Sequence, residues 1–363
     1  MNRNKWLRLL TFVPSITMIY MDQSVLPVAL PVMQREFHVS AAALQWTVNA
    51  YLLGWTMFVI LGGKIGDRIG HRTSYLIAMV CFTLFSAMCG LSPNIGLLIC
   101  ARGLQGIAGS FMVTSQIALI SSIFPPHSRG RAIGLLVSIG SVFLILGPMI
   151  GGFLTDWLSW RWIFWINLPI ALIGAFLMYF LVPHTAGTPG KIDLWGFLCF
   201  AVFAAFASLT FMQGEGWGWK SPEIVSSIAI ALISLVLLGI REKTSKHPFL
   251  ELNLFKRPIF AAININVSVC QFVAMIFVFR TVYTETILGY SPTNAGLITS
   301  ISSLPVLFFS YVGGYLADKV SPKLPIILGY LGVISSFFWL GFMPTPSLAF
   351  YFPPLMLFGM GMT

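Results

Sequence analysis

Asp22, Arg102, Arg280 and Glu285 place ionisable groups inside long apolar runs of this 363-residue chain. Burial raises a carboxyl pKa and a nearby cation lowers it, so a carboxylate that moves between the two settings takes up and releases a proton. An ionisable group at membrane depth is costly unless paired or wetted, and marks a functional site. Asp22 and Arg102 fit the requirement best, as a coupling pair or as a static ion pair between two helices. Arg280 either snorkels outward or pairs with Glu285, which in turn either lines a polar path or is a solvated helix end.

A second group of charges sits in GGKIGDRIGHR, Gly62 to Arg72, between WTMFVIL and SYLIAMVCF. Asp67, Arg68, His71 and Arg72 read as a short loop in which Asp67 follows a helix end and Gly66 and Gly70 permit a tight turn. GGYLADKVSPK, Gly313 to Lys323, repeats the arrangement with Asp318 in the place of Asp67, 251 residues later.

The elements that position these groups follow from composition. Charged residues make up 9% and hydrophobic residues 57% of the chain, against roughly 25% charged in a soluble domain. Lipid is therefore the solvent for most of the surface. Runs near the ~20 residues a spanning helix needs fall at 8–32, 43–63, 74–92, 96–122, 131–155, 161–182, 194–213, 223–240, 260–288, 294–316 and 324–343, with a twelfth starting near Ser347. The first contains Asp22, Pro14 and Pro27 and lacks a small-residue cleavage site, so it reads as a retained helix. With the N-terminus and every second loop cytoplasmic, 16 of the 21 basic residues lie on that side and 3 on the other, as the positive-inside rule requires. The net charge of +10 is spread over these gaps, which excludes a nucleic-acid surface. Asp22 lies 13 residues past Leu9, about 20 Å into a core about 30 Å thick, and Arg102 lies about 8–10 Å in from the other side. The two charges reach similar depths.

At roughly 30 residues per helix and loop, the repeat offset is about eight helices, a parallel internal repeat of the facilitator kind. The loop GKIGDRIGHR resembles the G-x-L-A-D-R-x-G-R-K signature of the major facilitator superfamily at Gly63, Asp67, Arg68, Gly70 and Arg72. Eight helices between the copies, instead of six, resembles its fourteen-helix drug:proton antiporter branch. MDQSVLPVALP (21–31), ARGLQGIAGS (101–110), and Gly134 with GPMIGG (147–152) resemble signatures of that branch in helices 1, 4 and 5. LSWRWIFWINLPI (158–170), HPFLELNLFKRPIF (247–260) and YTETILGYSPTNAG (283–296) resemble further ones.

The resemblance implies an all-α membrane protein of the facilitator fold: an N-terminal six-helix bundle over 1–182, two inserted helices over 183–258, and an incomplete C-terminal bundle over 259–363. The apolar runs supply 11 full spans plus part of a twelfth, and the resemblance places them in a bacterial cytoplasmic membrane. Fourteen helices are expected, so the chain is expected to be a fragment or truncated product, weak in transport by itself. The implied activity is export of small hydrophobic or cationic compounds against proton flow, or of one specific metabolite or lipid; the remaining alternative is a non-transporting truncated remnant. In this resemblance Asp67, with Gly63, Arg68, Gly70, Arg72 and Asp318, latches two bundles at a helix N-terminus and against nearby arginines. Gly134, Gly147, Pro148, Gly151 and Gly152 form the antiporter motif, either as a kink with close packing or as a substrate contact. Gln45, Asn49, Gln105 and Gln116, and a face of Asn264, Ser268, Gln271 and Met275, either pack helices or line the path.

Enzyme chemistry finds no support. Cys81, Cys89, Cys100, Cys199 and Cys270 lie in apolar runs without metal spacing, and His38, His71, His127, His184 and His247 fall in loops far apart. Neither a phosphate-binding loop for ATP nor a cofactor or metal motif is present. Substrate, protons and the bilayer are the expected partners.

Overall fold

Short caps and long apolar stretches build this molecule. Ser40, Asp193 and Ser221 each stand one residue ahead of a helix and accept a hydrogen bond from the backbone N–H of Ala43, Gly196 and Ile224 respectively, satisfying donors that a helix start leaves open. The computed structural model describes residues 3–188, 190–276, 283, 287–290, 298, 301, 303–342 and 348–362. Arg280 and Glu285 lie outside the described residues, as does the side chain of Met275.

The helices described are α1 (Lys5–Phe37), α2 (Ala41–Ile69), α3 (His71–Gly90), α4 (Ile95–Ile123), α5 (Pro126–Trp157), α6 (Trp162–Leu181), α7 (Leu194–Trp217) and α8 (Pro222–Thr244). They continue with α9 (Pro258–Ile276), α10 (Leu304–Lys319), α11 (Lys323–Gly341) and α12 (Leu348–Gly361). The described residues hold no strand, and nine of these helices are long and apolar enough to cross a membrane. Over their described residues α9, α10 and α12 fall short of that measure. α1 tightens into a 3₁₀ turn at Leu10–Phe12.

Two compact units interleave along the chain: Met1–Val28, Ile120–Phe153 and Arg257–Thr363 form one, and Ala29–Leu119 with Leu154–Lys256 the other. In the first, glycines let helices touch through backbone. A methyl group on Gly134 would overlap the Ser310 carbonyl on α10, and one on Gly147 would overlap Ser24 Oγ on α1. Ser336 Oγ of α11 donates to the Pro354 carbonyl of α12 at 2.6 Å. In the second unit, α7 and α8 pack as a hairpin over buried Ala201, Ala204 and Ala231, with Thr210 Oγ1 donating to Ser227 Oγ at 3.0 Å. Phe58 of α2 meets Phe197 of α7 with ring centroids 5.2 Å apart.

The structure corrects the reading of GGKIGDRIGHR as a loop. α2 stays helical through Ile69, so Asp67 lies in its last turn instead of after its end, and Gly66 is helical too. Gly70 alone breaks the helix, at φ +89°, and its carbonyl already accepts the Ser74 N–H of α3. One residue suffices because glycine has no Cβ to clash at positive φ. For the same reason His71 opens α3 and is not in a loop; His127 lies in the first turn of α5.

Candidate functional site

Asp22 and Arg102 are buried, at 6% and 2% exposure. In the second unit the Arg102 guanidinium is held by α4 and its neighbours. Its Nε donates to the Thr47 carbonyl at 3.1 Å and its Nη1 to Gln105 Oε1 at 2.8 Å. The Tyr51 ring lies 4.4 Å and the Phe164 ring 5.9 Å from the guanidinium carbon, so the cation rests on π faces. Gln105 therefore orients Arg102, while Asn49 and Gln116 are buried elsewhere on α2 and α4 and Gln45 is exposed.

The two copies of the charged motif behave differently. The Asp67 carboxylate, 65% exposed, meets His71 Nε2 at 3.0 Å one turn away. Its backbone carbonyl accepts the Thr188 N–H at 2.8 Å, Thr185 Oγ1 accepts the Arg72 N–H at 3.0 Å, and Arg72 Nη2 donates to the Tyr179 carbonyl at 2.6 Å. The stretch after α6 thus straps the α2–α3 junction within its own unit. Gly63 adds nothing to that contact, since a methyl there would meet nothing within 4 Å, whereas Arg68 has an exposed side chain but a carbonyl packed against Gly187 of the strap. Asp318 makes the contact expected of Asp67. Its side chain is 3% exposed and accepts from the backbone N–H of Gly130 at 3.0 Å, that of Arg131 at 2.9 Å, and Arg131 Nε at 3.2 Å. These donors stand near the N-terminal end of α5, where the helix dipole favours an anion. Gly130 and Gly314 admit this approach, because a methyl on either would collide with the other helix.

Three of the residues read as an antiporter motif contact protein. Gly134 faces Ser310, Gly147 faces Ser24 and Gly151 faces Val25, while Gly152 is nearly open and Pro148 sits inside a continuous α5. Gly134, Gly147 and Gly151 are close-packed in this structure.

A cavity of about 390 Å³ lies in the first unit among α5, α9, α10, α11 and α12. Ile133, Val137 and Val333 supply apolar wall, and one edge is polar, where Tyr330 Oη donates to Asn266 Oδ1 at 2.7 Å and Cys270 Sγ lies 3.9 Å from Tyr330 Oη. The α9 face that lines it is Asn266, Cys270 and Val273, not Asn264, Ser268 and Gln271, which are exposed. The spacing of Asn266, Cys270 and Val273 at i, i+4 and i+7 was available in the sequence, but Cys and Val carry too little polarity to mark a face. Glu36, Trp160 and Arg161 form a further cluster: Glu36 accepts from Trp160 Nε1 and Arg161 Nη1, each at 2.6 Å. The signature LSWRWIF contains both donors.

The sequence model of the Major Facilitator Superfamily matches residues 12–363. Multidrug resistance protein Stp of Mycobacterium tuberculosis is 33% identical over 332 residues, covering 91% of this chain and 62% of that protein. The tetracenomycin C resistance and export protein of Streptomyces glaucescens is 29% identical, over 90% of this chain and 61% of that protein. Riboflavin transporter RibZ of Clostridioides difficile is 31% identical, over 88% and 70%. The chain thus spans about three fifths of the length of the first two of these relatives. A solved structure of the proton:xylose symporter XylE shares the fold at a TM-score of 0.68 and 19% identity, over 98% of this chain and 78% of that one. The apolar spans, the repeated charged motif and these matches agree: the chain is a multi-pass membrane protein belonging to the major facilitator superfamily.

Proposed function

We propose that this chain carries out export of small hydrophobic or cationic compounds across the cytoplasmic membrane in exchange for protons, with its N-terminus in the cytoplasm. Asp22 is the proton carrier and Arg102 the cation that sets its affinity. The observation that carries the reading is the burial of a carboxylate and a guanidinium, 6% and 2% exposed, within apolar spans. Such burial is costly and is kept where a charge must move or change state. The cavity beside Asn266 and Tyr330 gives an apolar molecule a place to rest, with one hydrogen-bonding edge to orient it. The fourteen-helix antiporter branch is the form this takes, and the resistance and export proteins among the relatives support drug-like substrates. In this reading a proton gradient supplies the energy.

The test is efflux from proteoliposomes under an imposed pH gradient, with a cationic dye, an antibiotic and a sugar. Gradient-driven movement of the first two and not the sugar is expected. Asp22→Asn is expected to abolish that movement while dye binding persists. A well-folded Asp22→Asn protein that still drives efflux would remove Asp22 from the proton path. A second reading, export of one metabolite, is favoured by the similarity to the riboflavin transporter; it predicts movement of a flavin with no dye efflux at all.

A further inference from the structure

The α7–α8 hairpin ends in a concavity lined by charged residues. Lys191, Asp193, Arg241, Lys246 and His247 line a pocket of about 440 Å³ where α7 begins and α8 ends. Trp195, Arg241 and Thr244 also line a second hollow of about 460 Å³, which continues between the helices over Leu198, Val202 and Leu237. One end is polar and cationic; the other is apolar.

The charge at the polar end is unevenly committed. Arg241 Nε donates to both Asp193 oxygens, at 3.2 and 2.9 Å, and Nη2 donates to Oδ1 at 3.0 Å. Asp193 is also the cap of α7, and its side chain is 2% exposed, so this carboxylate is consumed by the fold. Hydrogen bonds from Arg241 hold its carboxyl below the usual aspartate range, with the Gly196 N–H adding to the effect. Arg241 itself remains 41% exposed, and Lys191, Lys246 and His247 are exposed. Three permanent cations thus face one neutralised carboxylate, and the neighbouring Glu242 is buried and lines neither hollow.

Positive charge at the cytoplasmic end of a span is common. Here it converges on a hollow continuous with an apolar groove, and Trp195, 68% exposed, stands at the junction where interfacial aromatics sit. We propose that this is a binding site for an anionic phospholipid of the inner leaflet, its phosphodiester among Lys191, Arg241 and Lys246 and one acyl chain in the groove along Leu198, Val202 and Leu237. Basic pockets between helices on this side recognise such headgroups. The site rests on the membrane placement of α7 and α8 and is independent of what the protein transports.

The test uses the purified protein in detergent, titrated with phosphatidylglycerol and with phosphatidylcholine and read by native mass spectrometry. Phosphatidylglycerol is expected to bind in preference. Lys191→Gln with Lys246→Gln, two exposed residues outside the Asp193–Arg241 pair, is expected to weaken it about 30-fold, equivalent to about 2 kcal/mol. Val202→Trp, which fills the groove, is expected to weaken phosphatidylglycerol binding with the thermal midpoint retained. Equal binding of the two lipids would overturn the proposal, as would unchanged phosphatidylglycerol binding in the double variant. Full displacement of the lipid by an equimolar amount of glycerol 3-phosphate would make this a phosphate site and overturn the lipid assignment.

Discussion

Asp318→Asn is expected to open the α5–α10 contact, and the size of the effect follows from its three hydrogen bonds. Asp318 Oδ1 accepts from Gly130 N, and Oδ2 accepts from both Arg131 N and Nε. An asparagine oriented to keep both Arg131 bonds turns its NH₂ toward the Gly130 N–H, so one donor loses its acceptor and Arg131 loses its counter-charge. A hydrogen bond to a charged group contributes about 1.5–3 kcal/mol, and a buried donor left unmatched costs a similar amount. With the carboxylate 3% exposed, solvent offers little relief, and the total is about 2–4 kcal/mol. That is roughly a 30- to 800-fold rise in the open population. Asp67→Asn removes only an exposed contact to His71, worth about 0–1 kcal/mol or at most roughly fivefold. The assay replaces the five native cysteines, introduces Ala317→Cys on the cavity wall, and times its reaction with an impermeant maleimide in inside-out vesicles. Labelling of the Asp318→Asn protein within fivefold of the parent, or a larger effect from Asp67→Asn, would refute the assignment of the contact to the second copy.

Gly147→Ala should destabilise the α1–α5 contact by about 1–3 kcal/mol through overlap with Ser24 Oγ, and Ser24→Gly should recover part of the lost thermal midpoint. Gly70→Ala should lower the stability by about 1–2 kcal/mol or more, because φ is +89° and the Thr185 carbonyl occupies the space. Gly63→Ala, helical and open, should raise the stability by up to about 1 kcal/mol. Asp193 is depressed by Arg241, so its stabilisation is complete above the unfolded value of about 3.9 and is lost as pH falls through the lower folded value. Asp193→Asn keeps a capping side chain and should flatten that part of the acid unfolding curve measured by circular dichroism; an unaltered curve would deny the pair its role.

The sequence by itself determined the solvent, the elements and the family. A chain with 9% charge has no means of covering a water-facing surface, and a helix closes its backbone hydrogen bonds within one segment, so apolar runs alone locate the helices. The signatures around Arg102 and Gly147 were legible because each lies within a few residues of itself along one helix. Tertiary structure decided which partner each group meets. Asp67 and Asp318 occupy equivalent places in equivalent motifs, yet one is exposed beside His71 and the other is buried against Gly130 and Arg131. Their neighbours at i+4 differ, His71 against Pro322, but that does not bury an aspartate; the burial of Asp318 arises because Gly130 and Gly314 let two distant backbones touch. The cavity-lining face of α9 was not legible for the same reason: Asn264, Ser268 and Gln271 are the more polar stripe, but Asn266 and Cys270 meet Tyr330, 64 and 60 residues further on. Periodicity gives the angle between side chains on a helix, whereas the direction in which a helix turns a given face is set by what packs against it.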